Sequence, residues 1–259
     1  MPYQTLTIAE ENRVAVITLN RPEKRNAISM ALIAELMSAF EHLEKSSARA
    51  VIITGAGKSF CAGMDLEELK SLTGRTREES QRDSETMARL FRGVYDFPKP
   101  LIAAVNGPAI AGGCGIATLC DFTLASTEAK FGYTEVRIGF LPAIVSTFLM
   151  RQIGEKHARD LLLTGRIIDA AEAARLGLIN EVVSPERLMP RAHELATQLI
   201  ENSPASLAAT KKLLNSFSVE TLNSEIKAAV DANADIRATD DFREGVASFL
   251  EKRKPVWKS

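Results

Sequence analysis

Four short apolar runs, rich in β-branched residues, set the frame for this chain. Arg13-Val-Ala-Val-Ile-Thr-Leu19 is stopped by Asn20-Arg21-Pro22, and Leu101-Ile-Ala-Ala-Val105 by Asn106-Gly107-Pro108. Ala50-Val-Ile-Ile-Thr54 runs into a loop opening with Gly55, and Phe122 to Ala125 is the fourth run. Stretches this short and this continuously apolar read as strands buried on both faces. Between the first two, Leu32, Leu36, Phe40 and Leu43 recur at steps of three or four. That spacing predicts an amphipathic helix capped by Ser29 and ending near Ser46-Ser47. Strand, helix, strand over about forty residues is a β-α-β crossover, which predicts an α/β protein with a largely parallel sheet.

In such a sheet the loops leaving the strands carry the chemistry. After the third run, Ala111, Gly112 and Gly113 lead into helix-compatible residues from Cys114 to Cys120. A helix start exposes N–H groups without intrahelical partners, and glycine lets a ligand atom approach them. Gly112 is therefore a candidate oxyanion site, the alternative being that both glycines only pack helix against strand. After the second run, Gly55-Ala-Gly-Lys-Ser59 looks like a phosphate loop but fails its spacing, because the first glycine of that motif falls on Ile52. The next residues, Phe60 to Leu66, hold a second glycine turn in which Met64 can offer another N–H. Asp65 is placed to cap a helix from Leu66 to Leu72, and capping alone accounts for it. Further on, Glu135 stands among small and apolar residues. An ionised carboxylate is costly to bury alone, so Glu135 is either paired, with Arg137 at hand, or held for proton transfer. The local sequence leans towards the pair.

Beyond Pro142 the chain turns helical. Thr76 to Glu79 and Asp169 to Glu172 fit capping boxes, the first for a helix carrying Met87, Leu90, Phe91 and Val94. Leu178 to Val183 reads as a last strand, and Ser184-Pro185 and Ser203-Pro204 as helix starts. Helices are expected near 186–201, 204–215, 219–235 and 240–252, which divides the chain into a core over 1–200 and a helical oligomerisation region over 201–259. A formal charge of -1 offers no attraction for nucleic acid or anionic lipid, so a small molecule is the expected ligand. No apolar run approaches a membrane span, and the N-terminus lacks a basic leader, so a cytoplasmic protein is expected. The three cysteines, Cys61, Cys114 and Cys120, and the three histidines lack metal-site spacing; no metal is expected.

Several ordered segments together carry a resemblance. They are Val16 to Ala27, Phe60 to Leu66, Ala104 to Gly113, Phe131 to Gly139, Thr164 to Ala173 and Gly177 to Val183. The chain resembles the enoyl-CoA hydratase/isomerase, or crotonase, family over nearly its whole length. The resemblance implies a ClpP-like spiral of ββα repeats with a C-terminal helical region that builds trimers, usually paired into hexamers. It implies an acyl-CoA substrate whose thioester carbonyl is polarised by the backbone N–H groups of Met64 and Gly112, and no cofactor besides the coenzyme A of the substrate. Lys24, Arg25, Asn26 and Ala27, with Ala62, Met64, Asp65, Leu66 and Gly112, are implied in binding coenzyme A. Of the two glutamates of the best-known hydratases the second matches Glu135, but the first falls on Gly115, and a further acid position near Ala143 is also empty of acid. Thr134 to Ser146 looks like the branch acting on branched or carboxylated enoyl-CoA, such as methylglutaconyl-CoA hydratases. The expected reaction is hydration of a 2-enoyl-CoA by Glu135. Δ3-Δ2 isomerisation by the same glutamate and a non-catalytic acyl-CoA binder are the alternatives.

Overall fold

A computed structural model describes residues 3–258. Its larger sheet has six strands in the order β1-β2-β3-β4-β6-β9, formed by Leu6–Glu11, Val14–Leu19, Ala50–Gly55, Leu101–Val105, Phe122–Ser126 and Glu181–Val183. The β1–β2 pair is antiparallel and the remaining pairings are parallel. β1 was not legible beforehand, because its sequence LTIAEE is half polar and within it only Leu6 is fully buried, with Ile8 partly so. Asn12 and Arg13 join it to β2 with φ of 49° and 64°, the pair of positive φ values that a tight two-residue hairpin requires.

Period-two alternation in the central strands feeds two cores. Val51, Ile53, Leu101, Ala103 and Val105 face α1 (Met30–Lys45), α3 (Arg77–Asp96) and α4 (Gly112–Thr118). Ala50, Ile52, Ile102, Ala104 and Leu124 face α7 (Pro185–Ile200) through Leu188, Ala192 and Ala196. This double coverage is why β3 and β4 are apolar on both sides except at Thr54, whose hydroxyl donates to the Ala104 carbonyl at 2.8 Å.

A second, smaller layer lies beyond the ends of these strands. Its sheet is β5 (Ala109–Ile110), β7 (Lys130–Gly132) and β8 (Ile167–Asp169), continued by single bridges between Cys61 and Ala109 and between Ile28 and Met64. Each of β2, β3, β4 and β6 thus passes from the large sheet into the small layer and then into a helix, which is the spiral of ββα turns of the crotonase fold. The helix after β3 is α2 (Leu66–Leu72), capped by Asp65 as expected. The helix after β7 is α5 (Ala143–Thr164), interrupted at Gly154, where φ is 74°. α6 (Ala170–Arg175) precedes β9. α8 (Pro204–Ser216), α9 (Val219–Ile236) and α10 (Asp240–Leu250) complete the chain close to the expected bounds.

Two caps differ from expectation. Ser184 Oγ donates to the Glu186 carboxylate instead of accepting a helix N–H. Glu172 turns its carboxylate to Arg166, so only the Asp169 half of that capping box forms. In both cases a charged or hydroxyl partner nearby competes with the backbone for the same oxygen.

Asn26 locks the first crossing between layers. It is 1% exposed with φ of 55°, a conformation that asparagine tolerates better than most residues. Its Oδ1 accepts the Arg21 N–H at 2.9 Å, and its Nδ2 donates to the carbonyls of Ala56 at 2.9 Å and Ser59 at 2.8 Å. Asn26→Ala leaves these groups without their partner, and we expect a loss of about 2–4 kcal/mol in urea unfolding.

Candidate active site

The spiral encloses a cavity of about 720 Å³. Met64 reaches it through the bridge to Ile28. Ile28 donates to the Gly63 carbonyl at 2.7 Å and accepts from the Asp65 N–H at 2.8 Å. In a parallel pairing that uses the residues on either side of Met64, the N–H of Met64 itself turns away from Ile28. Gly112 reaches the cavity as the first residue of α4, where no intrahelical carbonyl is available to its N–H. Ala111 before it has φ of 50° and ψ of -125°, a strained conformation for a residue with a Cβ. It is pinned because its N–H donates to Gly132 O at 2.7 Å and its carbonyl accepts from Gly115 at 3.1 Å.

The two glycines of this turn have different jobs. A Cβ on Gly113 would sit 2.4 Å from the Cys61 carbonyl oxygen, so Gly113 is the packing glycine. On Gly112 it would meet only side-chain ends, Ile28 Cδ1 at 3.0 Å and Phe91 Cζ at 3.7 Å. The cysteines beside the turn are buried, and desolvation pushes the Cys61 and Cys114 thiols up to about 12, too high for a nucleophile near neutral pH.

Glu135 opens a 3-10 turn, Glu135–Ile138, and lines the same cavity. The expected ion pair with Arg137 does not form. Glu135 is 8% exposed, and its Oε2 has no hydrogen-bond partner among the described residues. Residues two apart on a turn of three residues lie on different sides of it, and the Arg137 side chain runs instead past Gly165. Burial pushes the Glu135 carboxyl up to about 7, opposed only by its own backbone N–H. The turn is held from outside by α10, where a Cβ on Gly245 would lie 2.2 Å from the Ile138 carbonyl.

Phe91 and Val145 occupy the space beside Gly115. A Cβ there would be 2.8 Å from Val145 Cγ1 and 3.1 Å from the Phe91 ring. The missing acid is thus replaced by an apolar wall.

Of the remaining positions implied in binding coenzyme A, only two line the cavity. Arg25 and Ala62 line the cavity, linked by Ala62 N–H to Arg25 O at 3.0 Å. Ala27 is buried, Leu66 is exposed, and Lys24 pairs with Glu67 at 3.2 Å. Asp65 accepts from the Glu67 N–H at 3.0 Å and from Arg21 at 2.8 Å, which keeps its carboxyl below the usual range against the opposing effect of burial. Asn233, Arg237 and Phe249 of the C-terminal helices also line the cavity. The sequence reading did not name them, since amphipathic periodicity tells which face is apolar and not what it covers.

A cavity that joins helix-start and bridge amides to a desolvated carboxylate matches the comparison of the whole chain with known families, in which the enoyl-CoA hydratase/isomerase model matches residues 9–259. The chain belongs to the enoyl-CoA hydratase/isomerase family. It is 47% identical over 247 residues, 95% of this chain and 98% of the relative, to a provisionally named enoyl-CoA hydratase of Thermus thermophilus. It is 36% identical to a crotonyl-CoA hydratase of Syntrophomonas wolfei, over 98% of both chains. The crystal structure of an enoyl-CoA hydratase from Mycobacterium avium superposes with a TM-score of 0.87 at 32% identity, over 97% of this chain and 98% of that one. The protein is an enzyme of this enoyl-CoA hydratase/isomerase family. None of its described helices is long and apolar enough to cross a membrane.

Two measurements follow from the family member's buried acid. Native Glu135 keeps a proton between pH 4.5 and about 7 that the unfolded chain has released. Stability contributed by that proton is present at low pH and lost as pH rises through this window, at up to about 1.4 kcal/mol per pH unit. Urea unfolding at pH 5 and pH 8 should show Glu135→Gln gaining on the wild type by about 3 kcal/mol across the interval. Gly115→Glu, by contrast, should cost about 1–3 kcal/mol from overpacking, with the loss reduced when Val145→Ala is added.

Proposed function

We propose that this family member adds water to a 2-enoyl-CoA thioester. The observation that carries the reading is the desolvated Glu135, with one carboxylate oxygen unpartnered, on one cavity with Met64 and Gly112. Ionised Glu135 takes a proton from water as the hydroxyl adds to C3, and the electron pair moves onto the thioester oxygen. The resulting enolate oxygen is stabilised by the N–H groups of Met64 and Gly112, each donor of this kind being worth about 10² to 10³ in rate. Protonated Glu135 then returns the proton to C2. One carboxylate with a pKa near 7 can play both roles in turn. Arg25, Lys24 and Ala62 receive the coenzyme A part, and the acyl group is branched or carboxylated, as the 134–146 segment suggests.

A second reading is favoured by the apolar wall at Gly115. With water poorly held there, Glu135 moves a proton from C2 of a 3-enoyl-CoA to C4, giving the 2-enoyl isomer.

In this proposal the chain also self-associates as a trimer or hexamer. α8 has no buried residues, and its Leu213, Leu214 and Phe217 are 56%, 58% and 73% exposed, an apolar face that a second copy would cover.

With purified protein, crotonyl-CoA should be hydrated, and Glu135→Gln should lose about 10² to 10⁴ in kcat. For the wild type, kcat/KM should fall on the acid side of a limb near pH 7, because the base must be ionised. Conversion of a 3-enoyl-CoA without hydration of any 2-enoyl-CoA would replace this reading with the isomerase.

A further inference from the structure

The chemistry proposed above leaves one polar part of the cavity wall unused. Arg237 and Asn233 on α9 and Asp83 and Ser84 on α3 line the cavity together with Arg75. The Arg237 side chain is only 4% exposed and lies 5.4 Å from the centroid of the Phe140 ring. Its guanidinium donates to Asp83 Oδ2 at 3.2 Å, Ser84 Oγ at 3.3 Å and Asn233 Oδ1 at 2.9 Å. Its Nε is buried with no hydrogen-bond partner among the described residues.

The charges in this cluster do not cancel. Arg75 pairs with the same Asp83 oxygen that Arg237 uses, so two guanidinium groups share one carboxylate. Burial pulls the Arg237 guanidinium below its ordinary pKa, and Arg75 pulls it further the same way. A purely structural tie between α3 and α9 needs one cation for one anion. It does not explain why a second arginine shares that carboxylate on the wall of a ligand cavity. The rest of this wall is apolar, with Met87, Phe91 and Leu141. A hydrocarbon chain end would press a methyl group against a charge already short of partners. A carboxylate would give the second of the two guanidinium groups the anion it lacks.

We propose that Arg237, with Arg75, Ser84 and Asn233 beside it, receives a terminal carboxylate of the acyl chain, so that the preferred substrates are monothioesters of unsaturated dicarboxylic acids, an assignment that rests on the acyl-CoA reading above. Arg237 is then a specificity residue, and Asp83 holds it in place while competing with the substrate for its charge.

The test compares 2-enoyl-CoA thioesters ending in carboxylate with methyl-ended thioesters of equal length, from four to eight carbons. The wild type should favour the carboxylate end at one chain length by at least about tenfold in kcat/KM, the lower end for a hydrogen bond to a charged group. Arg237→Met should lower that preference by about 10- to 100-fold, and Arg237→Lys should restore part of it. Because the preference is a ratio within one preparation, partial loss of fold does not mimic the result. Asp83→Asn should move the other way and lower KM for the carboxylated thioester alone. An absent preference in the wild type, or one that Arg237→Met leaves intact, overturns the assignment. If no thioester is hydrated, the hydratase reading fails by itself. Calorimetry with glutaryl-CoA and pentanoyl-CoA then decides the anchor: tighter binding of glutaryl-CoA that Arg237→Met abolishes supports it, and equal binding overturns it.

Discussion

A backbone N–H can act on a ligand only where secondary structure leaves it unpaired, and a compact protein leaves few of them so. The two-layer spiral produces two such groups on one cavity by different means. At Met64 a single bridge takes the hydrogen bonds of Gly63 and Asp65 and turns the amide between them outward. At Gly112 the cause is the start of a helix, aimed by the strained Ala111. Strain of this size, of order 1–3 kcal/mol, persists only where the surroundings over-determine it. The Gly132 carbonyl and the close contact of Gly113 with Cys61 do that. The central strands, buried on both faces, are in turn what hold those corners rigid.

The same burial that makes the scaffold rigid also sets the acid. Glu135 sits on a turn that α10 packs against backbone to backbone at Gly245 and Ile138, and no cation among the described residues pairs with its carboxylate. A partner such as Arg137 would have lowered the pKa and spoiled the carboxyl as an acid at neutral pH. The apolar replacement at Gly115 works in the same direction, since a second carboxylate nearby would need solvent or hydrogen bonds that Phe91 and Val145 exclude. One desolvated acid can carry a proton between two atoms of a substrate by itself when its pKa lies near the working pH.

What could be read from the sequence was whatever depends on short-range pattern. β2, β3, β4 and β6 follow from unbroken apolar runs, and α1, α2 and α3 from periodicity with Ser29, Asp65 and Thr76 as caps. β5, β7 and β8 are two or three residues long, too short for any period to register, although they build the layer on which the cavity rests. The Glu135–Arg137 pair looked plausible from a spacing of two and failed because a 3-10 turn puts residues at that spacing on different sides. Asn26 entered only as part of the segment implied in binding coenzyme A, whereas its positive φ and three side-chain hydrogen bonds are tertiary facts. Resemblance supplied the roles of Met64 and Gly112, which residue type alone could not, since a backbone amide leaves no mark in the sequence.

The C-terminal helices show why a division of this chain into a core and a separate helical region is too simple. α9 packs on α3 and α5 and brings Asn233 and Arg237 to the cavity, and α10 braces the turn that starts with Glu135. The polar cluster of the cavity wall and the placement of the acid therefore depend on neighbouring helices of one segment. α8 behaves differently: Lys211 pairs with Asp121 at 2.7 Å and Asn215 donates to the Tyr95 carbonyl at 3.3 Å, while its apolar residues face outward. Polar tethers of that kind fix a helix in position without burying it. They leave its hydrophobic face available as a surface rather than as part of the core, so one continuous helical segment serves the site with its later half and the exterior with its first.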